Sequence, residues 1–168
     1  MTVLPTRSYC WCVTTTSVLA PVGGRAVPLQ DVPDPVFSQG MAGYGAAIDP
    51  PRGVVDAVAP VSGKILKLLP HAYIVMTPDN VGILVHLGLD TVQLNGEGFT
   101  THVSQGDDVT AGQVIITYDV PSVEAKGLNP IVPVVVMDER EQSNVIPSDA
   151  VTAGAEIAAG ASLFTANK

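Results

Sequence analysis

The sequence predicts an all-β protein: an antiparallel β-sandwich or barrel built from paired hairpins, with internal two-fold repeats and at most short helical turns. Fourteen prolines and sixteen glycines break the chain into short Val/Ile/Leu-rich runs. Hardly any stretch sustains the 3.6-residue period of an amphipathic helix. Two turn motifs also recur far apart in the chain. At 168 residues, 46% hydrophobic and 14% charged, the chain has one domain's length and ample material for a core.

The first sixteen residues, MTVLPTRSYCWCVTTT, stand apart. Their middle is too polar for the apolar heart of a signal peptide, and no small-residue cleavage site follows. They are expected to form a terminal tail, residues 1–16, ahead of a single domain spanning 17–168. Within the tail, Cys10 and Cys12 flank Trp11 at a spacing that suits neither a disulfide nor a four-ligand zinc site. No role is assigned to that triplet, and the chain is expected to be cytoplasmic.

From Val18 onward the pattern is one of strands and turns. Ala20-Pro21-Val22-Gly23-Gly24-Arg25 recurs as Ala59-Pro60-Val61-Ser62-Gly63-Lys64, and Asp108-Val109-Thr110-Ala111-Gly112 as Ala150-Val151-Thr152-Ala153-Gly154. A glycine at a tight turn permits positive φ, so such echoes predict two sets of hairpins related by approximate two-fold symmetry. Two helical turns are expected, at 33–39 and at 121–126, the second with Pro121 at its start.

The chemistry concentrates in one hairpin. His71 to Thr77 and Gly82 to Gly88 are rich in strand formers, and Pro78-Asp79-Asn80 between them is turn chemistry. Alternation places His71, Tyr73 and Val75 on one face, and Leu84, His86 and Gly88 on one face of the partner strand. An even loop brings the two histidines together, with Cβ atoms about 5 Å apart if opposite or about 7 Å if diagonal. An odd loop separates them onto opposite faces. A neutral imidazole is a competent nucleophile near pH 7, able to take up a group on one ring nitrogen and release it again. One ring nitrogen must then stay free, expected to be Nε2, while the other gives its proton to a fixed acceptor such as a backbone carbonyl near Gly88. His71 would donate an N–H to the oxygens of the transferring group. His102 has no motif around it and is expected to be an ordinary surface residue.

Several functions fit poorly. A formal charge of −8 argues against nucleic acid and against an anionic membrane, and no apolar run approaches the length of a membrane span. No cofactor is expected. His71 and His86 could hold zinc only if a partner completed the ligand set, since no cysteine or third histidine is placed beside them. Lys64, Lys67, Lys126 and Lys168 do not sit at the hairpin tip that a lipoyl or biotinyl carrier domain requires. A purely regulatory binding module, with the histidines as a switch, remains an alternative.

Five segments in order carry a resemblance: Asp31-Val32-Pro33-Asp34-Pro35-Val36-Phe37, the run Gly43 to Pro50, Ala59-Pro60-Val61-Ser62-Gly63, His86-Leu87-Gly88-Leu89-Asp90-Thr91-Val92, and Leu94-Asn95-Gly96-Glu97-Gly98-Phe99. Together they resemble the glucose-family enzyme IIA of the bacterial phosphoenolpyruvate-dependent sugar phosphotransferase system, over about Ser17 to Phe164. The last two segments in combination are the specific part. The resemblance implies an antiparallel β-sandwich and a phosphotransferase component with a phosphohistidine intermediate. That component accepts a phosphoryl group from the phosphocarrier protein HPr and passes it to the cysteine of a sugar-specific enzyme IIB domain, whose transporter includes a membrane IIC part. It implies that His86 is the acceptor and His71 the second active-site histidine. It also implies that Asp34 and Asp90 face an arginine of HPr, and that Val36, Phe37, Met41 and Leu84 form an apolar docking surface. One departure stands out. Relatives often carry a threonine or lysine loop ahead of the second histidine, whereas here Leu68-Leu69-Pro70 leads directly into His71.

Overall fold

The structure, a computed structural model, describes residues 15–137, 139 and 141–167. Among them are fourteen strands, with three short α-helices set between some of them. The strands are β1 (Thr15–Leu19), β2 (Gly24–Pro28), β3 (Gly43–Asp49), β4 (Val54–Val58), β5 (Gly63–Leu69), β6 (Ala72–Met76), β7 (Gly82–His86), β8 (Phe99–Thr101), β9 (Asp108–Val109), β10 (Val114–Asp119), β11 (Val132–Met137), β12 (Val145–Pro147), β13 (Glu156–Ile157) and β14 (Ser162–Asn167). The helices are α1 (Pro35–Ser38), α2 (Val120–Ala125) and α3 (Asp149–Ala153). Two helical turns thus fall where the sequence indicates them, each started by an aspartate cap and an early proline.

Every strand pair is antiparallel. One eight-stranded sheet runs β13-β2-β3-β11-β7-β6-β5-β9, and two three-stranded sheets run β1-β14-β12 and β4-β10-β8. The large sheet is a palindrome about its central pair, in which Val134 faces Val85. Val134 also faces Ala46 and Val85 faces Tyr73, so Ala46 and Tyr73 occupy equivalent places. The Ala20 and Ala59 turns obey the same symmetry: Leu19 N–H donates to Pro60 O (2.9 Å) and Val58 N–H to Pro21 O (2.8 Å).

The second echo is displaced from where the sequence put it. Gly112 N–H donates to Ala59 O and Gly160 N–H donates to Ala20 O, both at 2.9 Å. The counterpart of Asp108 to Gly112 is therefore Glu156 to Gly160, and both glycines have left-handed φ (+92° and +87°). Ala150 to Gly154 instead belongs to α3, which Gly154 terminates in a left-handed cap. Periodicity decided this: Val151 is buried as one face of a helical turn, not as a strand residue.

β11 shows how the layers stack. Val132, Val134 and Val136 point into the main core, where they join Val18, Ile48, Ile65, Tyr73, Ile83, Val85, Ile116, Tyr118 and Phe164 from all three sheets. Val135, one step out of phase, points to the other face, into a smaller cluster with Leu29, Val32, Phe37, Ala47, Leu89 and Ile131. The segment between β2 and β3, including α1, covers that second face. At the N-terminus, Thr15 and Thr16 already pair with Asn167 and Ala166, so the domain's first strand begins inside the stretch read as a tail. Cys10, Trp11 and Cys12 lie outside the described residues.

Candidate functional site

His86 ends β7 on the face of the smaller cluster, in phase with half-buried Leu84 and out of phase with the core residues Ile83 and Val85. Its partner does not reach it by the parity argument. Ala72 pairs with His86 and Met76 with Gly82, leaving the odd loop 77–81 between the strands. Tyr73 and Val75 accordingly face the main core, away from His86. His71 still meets His86, because it lies outside the ladder. With Pro70 it forms the two-residue turn between β5 and β6, where strand alternation no longer fixes its direction. The ring centroids stand 5.1 Å apart in an edge-on arrangement. The turn is pinned to β7's end, where Leu87 N–H donates to His71 O at 2.7 Å.

Protonation of the site follows from its contacts. His86 Nδ1 lies 2.6 Å from Gly88 O. A carbonyl oxygen can only accept, so Nδ1 carries the proton and Nε2 keeps its lone pair. Burial lowers the pKa of His86 below the ordinary histidine value, against opposing influences from the Gly88 bond and the charges of Asp34 and Asp90. Burial likewise lowers that of His71, helped by repulsion from His86. Both rings are therefore neutral at pH 7. Among the described residues no hydrogen bond to the His71 ring is found, in keeping with the apolar Leu68-Leu69-Pro70 lead-in. The two rings supply two nitrogens, and among the described residues no group of three or more potential metal ligands gathers.

The surrounding residues divide by exposure. Phe37 is buried and packs its ring 5.5 Å from that of His86, walling the imidazole on the side of α1. Asp34 is half-buried and caps α1 by accepting Val36 N–H (3.0 Å). Asp90 is exposed, in left-handed conformation, at the start of the 3-10 turn Thr91–Leu94. Val36 and Met41 are exposed. Two further exposed apolar side chains, Leu69 beside the His71 turn and Val92 beyond Asp90, did not emerge from the sequence. Their places in the chain, two residues before His71 and six after His86, were the sequence signal that could have found them. The 90–98 loop closes over the same edge: a Cβ on Gly96 would lie 3.4 Å from Pro70. His102 lies away from this site, its Nε2 2.6 Å from Thr117 Oγ1, which donates to Asp56.

A fold that sets two neutral imidazoles edge-on to one another, one with a free Nε2, defines a class: an all-β protein able to carry a group on nitrogen. Comparison with known proteins narrows it. The family model described as phosphoenolpyruvate-dependent sugar phosphotransferase system, EIIA 1, matches residues 16–142. The chain is 43% identical over 143 residues to the glucose-specific EIIA component of the phosphotransferase system of Oceanobacillus iheyensis, covering 82% of this chain and 85% of that one. It is 42% identical over 134 residues to the mannose-specific EIIBCA component of Corynebacterium glutamicum, covering 79% of this chain and 20% of that longer protein. Among solved structures, the glucose permease IIA of Mycoplasma capricolum superposes with a TM-score of 0.79 at 35% identity, over 90% of this chain and 96% of that one. The chain belongs to the EIIA 1 family of the phosphoenolpyruvate-dependent sugar phosphotransferase system. It is a phosphotransferase component that serves as a phosphocarrier in sugar uptake.

Proposed function

We propose that His86 Nε2 is the atom that carries the phosphoryl group, received in the cytoplasm from phospho-HPr and delivered to the cysteine of a sugar-specific enzyme IIB domain. The single observation that carries this is the 2.6 Å contact from His86 Nδ1 to Gly88 O, which leaves a lone pair on Nε2. In the first step that lone pair forms the N–P bond while the bond from phosphorus to the donor breaks, its electron pair leaving with the donor. In the second, the IIB cysteine sulfur attacks phosphorus and the electron pair of the N–P bond returns to Nε2. His71, edge-on to the acceptor, donates an N–H to the phosphoryl oxygens as charge redistributes. The glucose-specific and mannose-specific components among the similar proteins support a hexose as the class of sugar.

The docking surface is best read as the exposed apolar rim: Val36, Met41, Leu69 and Val92. Phe37 and Leu84 support it from beneath, Phe37 by backing His86. Asp34 and Asp90 provide the negative charge at this rim that an arginine of HPr would meet.

Two substitutions test the division of labour. With radiolabelled phosphoenolpyruvate, enzyme I and HPr, His86→Ala should take up no acid-labile label. His71→Gln should keep much of its acceptance, since glutamine still offers an N–H, yet pass label poorly to the IIB cysteine. Full labelling of His86→Ala with none on His71→Gln would reverse the two roles.

A further inference from the structure

Gly88 is the residue on which the tautomer of His86 depends, and it is enclosed on three sides. Its φ is +84°, and a Cβ built there would lie 2.6 Å from Thr91 Cγ2, 3.1 Å from Tyr118 Oη and 3.3 Å from Asn129 O. Tyr118, in the middle of the protein on β10, is wholly buried. Its hydroxyl donates to Pro130 O at 2.9 Å. Pro130 stands between two residues whose carbonyls hold the histidine's loop: Ile131 O accepts Gly88 N–H (3.0 Å) and Asn129 O accepts Leu89 N–H (2.8 Å). The side chain of Asn129 bends the same segment back on itself, accepting Ile131 N–H at 3.0 Å. From Tyr118 to the imidazole the chain of contacts is unbroken. The hydroxyl fixes Pro130, the flanking carbonyls fix the Gly88 and Leu89 peptides, and Gly88 O fixes Nδ1–H.

The architecture itself does not require that hydroxyl. Tyr118 pairs with Val55 on β4, and Ala166 pairs with Thr16 on β1 in the equivalent place of the other small sheet. The same framework closes over an alanine there, with no hydroxyl at all. We propose that Tyr118 is a positioning residue for phosphoryl transfer, which through Pro130 holds the Asn129–Ile131 segment against Gly88 and so keeps Nε2 of His86 unprotonated and aimed outward. This rests on His86 being the acceptor. Its consequence for the ring, however, can be measured without any transfer.

The test uses the full chain, labelled with 15N-histidine, as wild type, Tyr118→Phe and Tyr73→Phe. Tyr73 supplies the matched control, since it too is wholly buried and donates its hydroxyl to a carbonyl, but to Val58 O at the end of β4 (2.7 Å) and not to the Asn129–Ile131 segment. Each variant keeps its ring and loses one oxygen atom, and spectra are taken well below the melting midpoint. Long-range 1H–15N spectra should show a single Nδ1–H tautomer for His86 in wild type and in Tyr73→Phe. Tyr118→Phe should show a substantial Nε2–H population. Its rate of phosphoryl acceptance at saturating phospho-HPr should fall about tenfold, the lower end of what losing a histidine's supporting partner costs, with half-saturation unchanged. If Tyr118→Phe melts earlier but its His86 resonances and transfer rate match wild type, the hydroxyl is merely structural and the proposal is overturned. If the tautomer shifts as expected while wild-type His86 never becomes phosphorylated, positioning stands and the acceptor assignment falls.

Discussion

The two halves related by the Val85–Val134 pair share a backbone plan but not a chemistry. In one, His86 follows Val85 and Ala72 faces it; in the other, the same place is taken by Val135 facing Gly45. Tyr73 and Tyr118 of the first half correspond to Ala46 and Ala166 of the second. Both tyrosines bury a hydroxyl on a backbone carbonyl, and burial raises the pKa of each well above the ordinary tyrosine value, so they remain neutral donors. The half with the site thus carries a histidine and two buried tyrosines where the other half carries a valine and two alanines. The connections differ too. β5 and β6 are joined by the two residues Pro70 and His71, while β2 and β3 are joined by the long segment containing α1, which crosses over to cover His86 with Phe37. The proposed acceptor sits where the symmetry is broken.

Breaking equivalent positions should therefore have unequal effects. The largest contrast is His86→Ala against Val135→Ala. The first should abolish acceptance with little change in melting. The second, which empties buried volume, should cost about 2 kcal/mol of stability while acceptance persists. Calorimetry and a labelling assay on both proteins check this. Comparable acceptance by the two would show that the halves are not functionally distinct.

Glycines provide a second contrast. Gly88 and Gly160 have nearly the same left-handed φ (+84° and +87°), but only Gly88 is hemmed in, with open space around Gly160. Gly160→Ala should cost about 1 kcal/mol of backbone strain and leave transfer alone. Gly88→Ala adds a clash with Thr91 Cγ2 and close approaches to Tyr118 Oη and Asn129 O, and is expected to shift the carbonyl that holds Nδ1. Its acceptance should fall more steeply than its stability, and equal acceptance by the two variants would contradict the role given to Gly88.

A smaller effect comes from pH. His71 and His86 have lowered pKa values in the folded state, so on acidification the unfolded chain binds their protons first, from about pH 6.5 downward. Their contribution to stability is thus fully present above that pH and is lost as pH falls through the folded values. Acceptance should stay level from pH 7.5 to 6.5 and decline only in stronger acid. A titration of initial rate with a midpoint at or above 6.5 would show that burial does not keep the site neutral.

Much of this was legible in the sequence, and the reasons for the rest are physical. Short runs punctuated by glycine and proline gave away the strands, and the Ala20 and Ala59 motifs gave away the two-fold, because turn chemistry is local. The partner of Asp108 to Gly112 was misplaced, since Asp149 to Gly154 has a similar composition but is a helix with a glycine cap. Letters alone do not separate a hairpin turn from a helix end when both finish on a left-handed glycine. The meeting of His71 and His86 was anticipated for the wrong reason: strand parity forbids it, and the Pro70-His71 turn restores it. The supporting roles of Tyr118 and Asn129 were invisible, because each depends on a segment distant in sequence brought beneath Gly88. Leu69 and Val92 were missed because exposure of an apolar residue is a property of the folded surface.

In the proposed mechanism the phosphoryl group resides on Nε2 of His86 because Gly88 O occupies Nδ1–H. The most direct measurement is a long-range 1H–15N spectrum, with 31P coupling, of the full chain phosphorylated by phosphoenolpyruvate, enzyme I and HPr. One phosphorylated ring is expected, His86, with phosphorus coupled to Nε2 and a proton retained on Nδ1. Phosphorus on Nδ1 of His86, or on His71, would contradict it.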